Sequence, residues 1–101
     1  MLARMGRLEI KPDQHAALVD GRPLSLTVRE LQLLVTLSEH PQRIMTREEL
    51  FARVWGGKPR SDDRSVDVYV SRLRAKLGEA LPETRLIHTH NGIGYRFAPE
   101  A

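Results

Sequence analysis

RSVDVYVSRLRAKL, residues Arg64 to Leu77, is the stretch that decides how this chain folds. Its main apolar residues are spaced four, three and four positions apart, which places them on one narrow stripe of an α-helix. This stripe consists of Val66, Val70, Leu73 and Leu77. We therefore predict a helix that buries one side against a core.

The residues next to this stretch predict where the helix begins and ends. Asp62 and Asp63 suit a helix N-terminus, because a carboxylate caps free N–H groups and complements the helix dipole. Gly78 is a typical C-terminal stop. The predicted helix therefore covers about residues 63–77.

The opposite side of this helix is polar, basic and made of short side chains. A helix of this length, about 22 Å, fits the major groove of B-DNA, which is about 12 Å wide. An arginine there can bond guanine with two hydrogen bonds, and a valine can contact a thymine methyl. The periodicity fits a solvated surface helix equally well. The face contains Arg64, Ser65, Val68, Ser71, Arg72 and Ala75, with Tyr69 and Lys76 at its margin.

Two further helices are predicted upstream. Thr27 to Glu30 and Thr46 to Glu49 both have the capping-box spacing, in which a Thr hydroxyl and a Glu carboxylate bond the first turn. Apolar residues follow both at helical spacing; Pro41 ends the first helix and Gly56-Gly57 the second. Ile44 and Met45 form a short extended bridge between them.

Strands are predicted at both ends of the chain. Arg7–Ile10 alternates apolar with charged residues, and Ala17–Val19 precedes the tight-turn pair Asp20-Gly21. The runs 85–89 and 95–98 flank a second turn at Asn91-Gly92. The expected fold is α+β: a small N-terminal antiparallel sheet, three helices and a C-terminal β-hairpin. We assign residues 7–98 to one domain, residues 1–6 to a linker or vector-derived segment, and residues 99–101 to a tail.

Composition limits the class of protein. A chain of 101 residues that is 41% hydrophobic can enclose one core. No apolar run approaches the roughly 20 residues of a membrane span, no signal peptide is visible, and cysteine is absent, which together favour a cytoplasmic protein. The net charge of +3 lies entirely after Leu50, because the first fifty residues contain seven basic and seven acidic groups. A basic half on a neutral scaffold suits phosphate binding.

The residues give no support to an enzyme. His88 and His90 share a strand face, but no acidic residue at ligand spacing completes a metal site. Gly92 and Gly94 belong to the hairpin, not to a phosphate-binding loop. We predict no catalytic activity, no metal and no cofactor.

Four motifs, in order, resemble one known family. The helix 64–77 closely resembles the recognition helix of the OmpR/PhoB-type output domains of bacterial two-component response regulators. The segment Thr89 to Phe97 looks like their wing, and Leu26-Thr27 with Glu30 and Val54-Trp55-Gly56 match their first two helices. The likeness runs from about residue 7 to residue 97. It implies a winged helix-turn-helix that binds double-stranded DNA sequence-specifically.

The resemblance also implies a role for each matching position. Arg72 would read bases in the major groove, together with Val68 and Ser71 on the same face. Phosphates would be held by Arg64, Ser65, Tyr69, Lys76, Trp55 and Arg47. The wing, residues 89–95, would reach the minor groove through Thr89, His90, Asn91 and Tyr95. Trp55 and Tyr95 also fit as core aromatics, and we assign Arg74 to a supporting pair with Asp67.

Two wing residues depart from the family pattern. Asn91 stands where the family usually has arginine, and His90 where it has an apolar residue. Arginine gains from the negative potential of a narrow minor groove, whereas asparagine is neutral and short. We therefore expect a weaker or different wing contact.

The family also suggests partners. The loop formed by Gly57, Lys58, Pro59, Arg60 and Ser61 corresponds to one that can contact RNA polymerase in the family. A receiver domain commonly precedes such an output domain, and nothing here resembles it, so we expect that it is missing from this chain. Two copies would bind direct repeats head to tail. The alternative is a winged-helix protein-interaction module without DNA specificity, because a fold alone does not fix function. The target sequence and the sign of regulation are beyond the sequence.

Overall fold

The N-terminal part of the molecule is a four-stranded antiparallel sheet. The computed structural model describes residues 3–100. Strands β1 (Ala3–Met5), β2 (Leu8–Lys11), β3 (Ala16–Val19) and β4 (Arg22–Pro23) follow each other in the sheet in chain order. Asp20 and Gly21, with φ of 53° and 79°, form the tight turn between β3 and β4. Positive φ at both positions is what a type I′ hairpin turn requires, so the turn prediction is confirmed.

Three helices follow: α1 (Val28–Ser38), α2 (Arg47–Val54) and α3 (Ser65–Ala80). Both predicted capping boxes are present. Thr27 Oγ1 accepts from Glu30 N at 3.2 Å, and Thr46 Oγ1 accepts from Glu49 N at 3.1 Å. Each Glu carboxylate accepts in return from the Thr backbone N–H. The sequence therefore fixes both helix starts locally.

The C-terminal hairpin forms a second sheet with the bridge between α1 and α2. Strands β6 (Arg85–His90) and β7 (Gly94–Glu100) pair with each other, and β5 (Ile44–Thr46) pairs with β7. At Gly94 the two backbones approach so closely that a Cβ would lie 1.9 Å from the Met45 carbonyl oxygen. Only glycine permits this contact, which anchors the hairpin beside α2.

One core joins both sheets and the helices. The predicted stripe of α3 is buried, and Val70 and Leu73 are fully enclosed. Phe97 from β7 is the largest fully buried side chain. Other fully buried residues are Leu8 and Ile10 from β2, Leu33, Leu34 and Leu37 from α1, Met45 from β5 and Leu50 from α2. The helices are thus held between the two sheets.

The predicted ends of α3 were wrong by two or three residues. The helix continues through Gly78 to Ala80, and Leu81 leaves it with φ −133° and ψ 67°. Pro82 supplies the stop, because a proline disfavours helical geometry in the residue before it. At the other end Asp63 Oδ1 accepts from Ser65 N at 2.7 Å, whereas the residue flanking the helix, Arg64, makes no side-chain cap.

The sequence pattern did not predict β1. Residues 3–5 were assigned to a linker, but they pair with β2, with Arg4 opposite Glu9. Pro99 and Glu100, assigned to the tail, continue β7. Gly6 forms the turn between β1 and β2 with a φ of 59°, and residues 1, 2 and 101 lie outside the described residues. The domain limits in a longer protein stay a prediction. Within residues 3–100, no helix is long and apolar enough to cross a membrane.

Candidate nucleic-acid interface

The outward face of α3 is accessible along its length. Val68 is 41% exposed although it is a large apolar side chain, and the Arg64 side chain is 79% exposed. Ser71, Arg72 and Ala75 are exposed as well. The structure therefore brings the three predicted base-reading residues, Arg72, Val68 and Ser71, onto one open face.

Arg72 lies on an aromatic ring of its own helix. Its guanidinium carbon is 5.1 Å from the centroid of the Tyr69 ring, a cation–π distance. Tyr69 in turn meets the edge of Trp55 at 5.4 Å between centroids, and Trp55 stacks on Phe51 at 5.5 Å. These four residues form a continuous series of aromatic and cation–π contacts from α2 to the exposed face of α3.

Trp55 packs against the core, and its predicted phosphate contact stays a prediction. It is partly buried against the core, as an interior aromatic would be. It also lies at the C-terminal end of α2, beside Tyr69 of α3. Arg29 of α1 lies over the Trp55 ring at 5.6 Å and donates to the carbonyl oxygen of Val54. Sequence reasoning missed Arg29, because nothing in the capping box around it indicates a contact 25 residues away.

Asp67 is the meeting point of three elements. Its Oδ1 accepts from Arg47 Nε of α2 at 2.8 Å and from the Tyr95 hydroxyl of β7. The Arg64 Nε is 3.9 Å from Oδ2. Burial opposes the charge on Asp67, but the hydrogen bonds from Tyr95 and Arg47 outweigh it, so the pKa of Asp67 is lowered. Asp67 is therefore held ionised at the junction of α3, α2 and β7.

This cluster limits what Tyr95 and Arg47 can do. Tyr95 is only 4% exposed, and burial together with its bond to Asp67 raises the pKa of its hydroxyl. Any support that Tyr95 gives to the wing is therefore indirect. The Arg47 guanidinium lies 5.2 Å from the Tyr95 ring centroid, and its side chain is 34% exposed. The Arg47 side chain is therefore partly accessible to solvent beside α3, and its hydrogen bond to Asp67 fixes its position.

The predicted pair between Asp67 and Arg74 is wrong. Residues seven apart on a helix are about 10 Å apart along its axis, and a nearer partner exists for each. Arg74 Nη1 donates to Thr89 Oγ1 at 2.6 Å and lies 3.5 Å from the Ile87 carbonyl oxygen. Arg74 thus links α3 to β6, and the Thr89 hydroxyl oxygen is its acceptor.

Lys76 has partners inside the protein. Its Nζ lies 2.7 Å from Glu30 Oε1 and 2.9 Å from the Ser25 carbonyl oxygen. The Glu30 carboxylate is 1% exposed; burial disfavours its charge, but the bonds from Lys76 and Thr27 keep its pKa lowered. In the structure Lys76 neutralises a buried carboxylate, and its side chain is 39% exposed; the predicted phosphate contact of Lys76 stays a prediction.

The wing ends in a glycine turn. Ile93 N donates to the His90 carbonyl oxygen at 2.9 Å, and Gly92 has a φ of 76°. Of the two central residues, only the second has a positive φ. This is the pattern of a type II turn, which favours glycine at that position. Asn91 is exposed and Ile93 is 53% exposed, so the tip presents one amide and one apolar group. His90 Nε2 accepts from Arg96 Nε at 3.0 Å, which holds the imidazole against β7.

The loop between α2 and α3 borders an open cavity of about 390 Å³. Its walls include Arg47 and Phe51 of α2 and Val66 of α3, as well as Lys58 and Arg60 of the loop. Gly57, with φ of 73°, begins this loop, and the Lys58 and Arg60 side chains are exposed. Among the described residues, no cluster of three or more His, Cys, Asp or Glu forms a metal site.

A helix with an open basic face, packed beside an α-helix and followed by a β-hairpin, defines a winged helix-turn-helix domain. The chain belongs to the family "Transcriptional regulatory protein, C terminal", whose model matches residues 21–97. This is the OmpR/PhoB-type DNA-binding domain, so the family expected from the four motifs is confirmed.

Individual relatives agree with this assignment. The phosphate regulon transcriptional regulatory protein PhoB of Pseudomonas aeruginosa is 37% identical over 97 residues, which cover 96% of this chain. The chain spans 42% of the length of that relative. Among solved structures, the DNA-binding domain of CpxR from E. coli has a TM-score of 0.89 at 30% identity and covers 100% of this chain and 99% of its own. The Klebsiella pneumoniae RstA DNA-binding domain in complex with the RstA box has a TM-score of 0.87 at 34% identity, with 98% of both chains covered.

Proposed function

We propose that this chain is the output domain of a transcriptional response regulator and binds double-stranded DNA sequence-specifically, with α3 in the major groove. The observation that carries the proposal is the exposed face of α3, where Arg72, Val68 and Ser71 are all accessible to solvent. The RstA relative, 34% identical, was solved with its DNA box, which supports the same use of the shared fold. In this proposal Arg72 bonds guanine, and Val68 contacts thymine methyls.

Phosphate contacts flank this face. Arg64 and Ser65 lie at the N-terminal end of α3, where the helix dipole also favours an anion. Arg47, Trp55 and Tyr69 line the junction of α2 and α3. Arg29, beside Trp55, extends the same basic edge to α1. Such contacts fix the orientation of the protein on the duplex, and the base contacts specify the sequence.

The wing is proposed to lie at the adjacent minor groove. Asn91 at its tip offers a neutral hydrogen-bonding group, and His90 and Thr89 follow along β6. Because Arg74 and Arg96 already bond Thr89 and His90, those two side chains are preset by the protein. A wing without arginine at its tip gives little minor-groove attraction, so α3 carries most of the specificity.

The remaining partners follow from the family. We propose that two copies bind direct repeats head to tail, that a receiver domain precedes this one in the whole protein, and that the protein acts in the cytoplasm. The loop 57–61, with exposed Lys58 and Arg60, is proposed to contact RNA polymerase. The family is one of transcription-factor domains, and the proposal assigns no catalytic activity.

Binding-site selection from random duplex DNA tests this function. We expect one enriched sequence and a binding constant that falls steeply with salt, because several phosphates displace counterions. Fluorescence anisotropy on the selected duplex and on a scrambled duplex measures both properties. A domain that enriches no sequence and is not retained on DNA at low salt would contradict the proposal and favour a protein-interaction module.

A further inference from the structure

We propose that Tyr69 is a specificity-positioning residue: its ring presets the Arg72 guanidinium for base recognition. The inference rests on the proposed function, since it concerns how α3 reads DNA. It is separate from a phosphate contact, which would use the Tyr69 hydroxyl and not the ring. The ring and the hydroxyl can therefore be tested one at a time.

The first observation is how Arg72 is held. Its guanidinium lies 5.1 Å from the Tyr69 ring centroid. Among residues 3–100, no carboxylate, carbonyl or hydroxyl bonds this guanidinium, whereas Arg47 is bonded by Asp67 and Arg74 by Thr89. A cation–π contact pairs none of the five guanidinium N–H donors with an acceptor, so these donors stay available to a base.

The second observation is that the platform itself is fixed. Tyr69 is half-buried and packs against the core. Its ring meets Trp55 edge-on with an interplanar angle of 70°, and Trp55 stacks on Phe51 at 15°. Tyr69 cannot turn without disturbing this packing. The position of Arg72 is therefore set by the junction of α2 and α3.

The physical consequence concerns discrimination between bases. A free arginine loses rotamer entropy when it binds, and it can reach several acceptors. An arginine already stacked on a fixed ring loses less and presents its donors in fewer directions, so it favours the base whose acceptors match. Removal of the ring should lower the preference for that base more than it lowers binding to DNA in general.

The test uses the wild-type chain, Tyr69→Leu, Tyr69→Phe, Arg72→Ala and the double variant Tyr69→Leu/Arg72→Ala. Two DNA duplexes are compared. The first is the duplex selected by the wild type, and the second differs from it at the one base pair for which the Arg72→Ala variant has lost its preference. Tyr69→Leu should reduce the preference between these duplexes about two- to fivefold, the usual range of an exposed cation–π contact. The same change in an Arg72→Ala background should reduce it no further. Tyr69→Phe, which keeps the ring, should retain the wild-type preference.

Two other results would contradict either the inference or the proposed function. If Tyr69→Leu keeps the full preference, or weakens both duplexes by the same factor, the inference is wrong while the proposed function stands. If the wild type itself enriches no sequence, the proposed function fails first. Thermal unfolding of each variant verifies that it is folded.

NMR of the unbound wild type provides a measurement without any variant. The ring current of Tyr69 should shift the side-chain protons of Arg72 upfield from the values of an unstacked arginine. Side-chain resonances of Arg72 at ordinary positions would overturn the inference even if Tyr69→Leu did not fold.

Discussion

Asp67 Oδ1 accepts a hydrogen bond from Arg47 Nε at 2.8 Å, and this bond joins the recognition helix to α2. The Tyr95 hydroxyl donates to the same oxygen from β7. One carboxylate therefore connects α3, α2 and strand β7 of the wing. Loss of its charge should loosen all three together.

Asp67→Asn should lower the free energy of unfolding by about 1 to 2 kcal/mol at pH 7, because two hydrogen bonds to a charged group are weakened at a partly exposed site. Urea denaturation measures the change. Asp62→Asn is the matched control, since Asp62 is exposed and bonds no group among the described residues, and it should change stability by less than about 0.5 kcal/mol. Equal effects of the two substitutions would show that the Asp67 cluster contributes nothing special.

The contribution of the Asp67 carboxylate to the free energy of unfolding should depend on pH. The pKa of Asp67 is lowered in the folded chain, so its contribution is present above the unfolded value of about 3.9 and is lost as pH falls through the folded value. The stability difference between wild type and Asp67→Asn should therefore shrink as pH is lowered from 5 toward about 2. A difference that stays constant over this range would contradict the assignment of charge.

Alanine substitutions at two glycines should change the stability of the fold in opposite directions. A Cβ at Gly94 would lie 1.9 Å from the Met45 carbonyl oxygen, so Gly94→Ala must separate β7 from β5 and should cost more than about 2 kcal/mol. Gly78 is exposed within α3 and a Cβ there meets nothing within 4 Å. Gly78→Ala should therefore stabilise by about 0.5 to 1 kcal/mol through helix propensity. Thermal unfolding decides both; a stabilising Gly94→Ala would refute the close approach of the strands.

Lys76→Met should destabilise the fold without changing how DNA binding depends on salt. It removes the cation beside the buried carboxylate of Glu30, which should cost about 1 to 3 kcal/mol. Lys58→Met, at an exposed loop lysine, is the control for stability. The slope of log affinity against log salt should match the wild type; a slope reduced by about 1 would instead identify Lys76 as a phosphate contact.

Asn91→Arg should strengthen binding where the minor groove beside the recognition site is narrow. Asn91 is exposed at the wing tip, and an arginine there would meet the enhanced negative potential of an A-tract. Competition between A-tract-flanked and G·C-flanked duplexes measures the effect. An equal gain on both flanks would indicate simple charge attraction without groove-width recognition.

Local signals explain what the sequence could predict. The two capping boxes, the Asp20-Gly21 turn and the stripe of Val66 to Leu77 depend on residues close in sequence, and all are present in the structure. The predicted C-terminal end of α3 was wrong, because Gly78 resembles a stop although Pro82 ends the helix. Strand β1 was missed because three residues are too few to show an alternation.

Contacts between distant residues account for the rest. The face of α3 was predicted by periodicity, and the family resemblance favoured DNA over solvent. The partners of Lys76, Arg74 and Asp67 lie 46, 15 and 20 residues away, and no spacing rule reaches that far. For the same reason the position of Arg29 beside Trp55 was not foreseen.

The affinity of wild type and Arg72→Ala for the selected duplex and for a random duplex, at one salt concentration, tests the central claim most directly. Arg72 is exposed on the outward face of α3 and is proposed to read a base. The account predicts a loss of about 1 to 3 kcal/mol on the selected duplex and a much smaller loss on the random one. Equal losses on both would make Arg72 a phosphate contact and contradict major-groove reading by this residue.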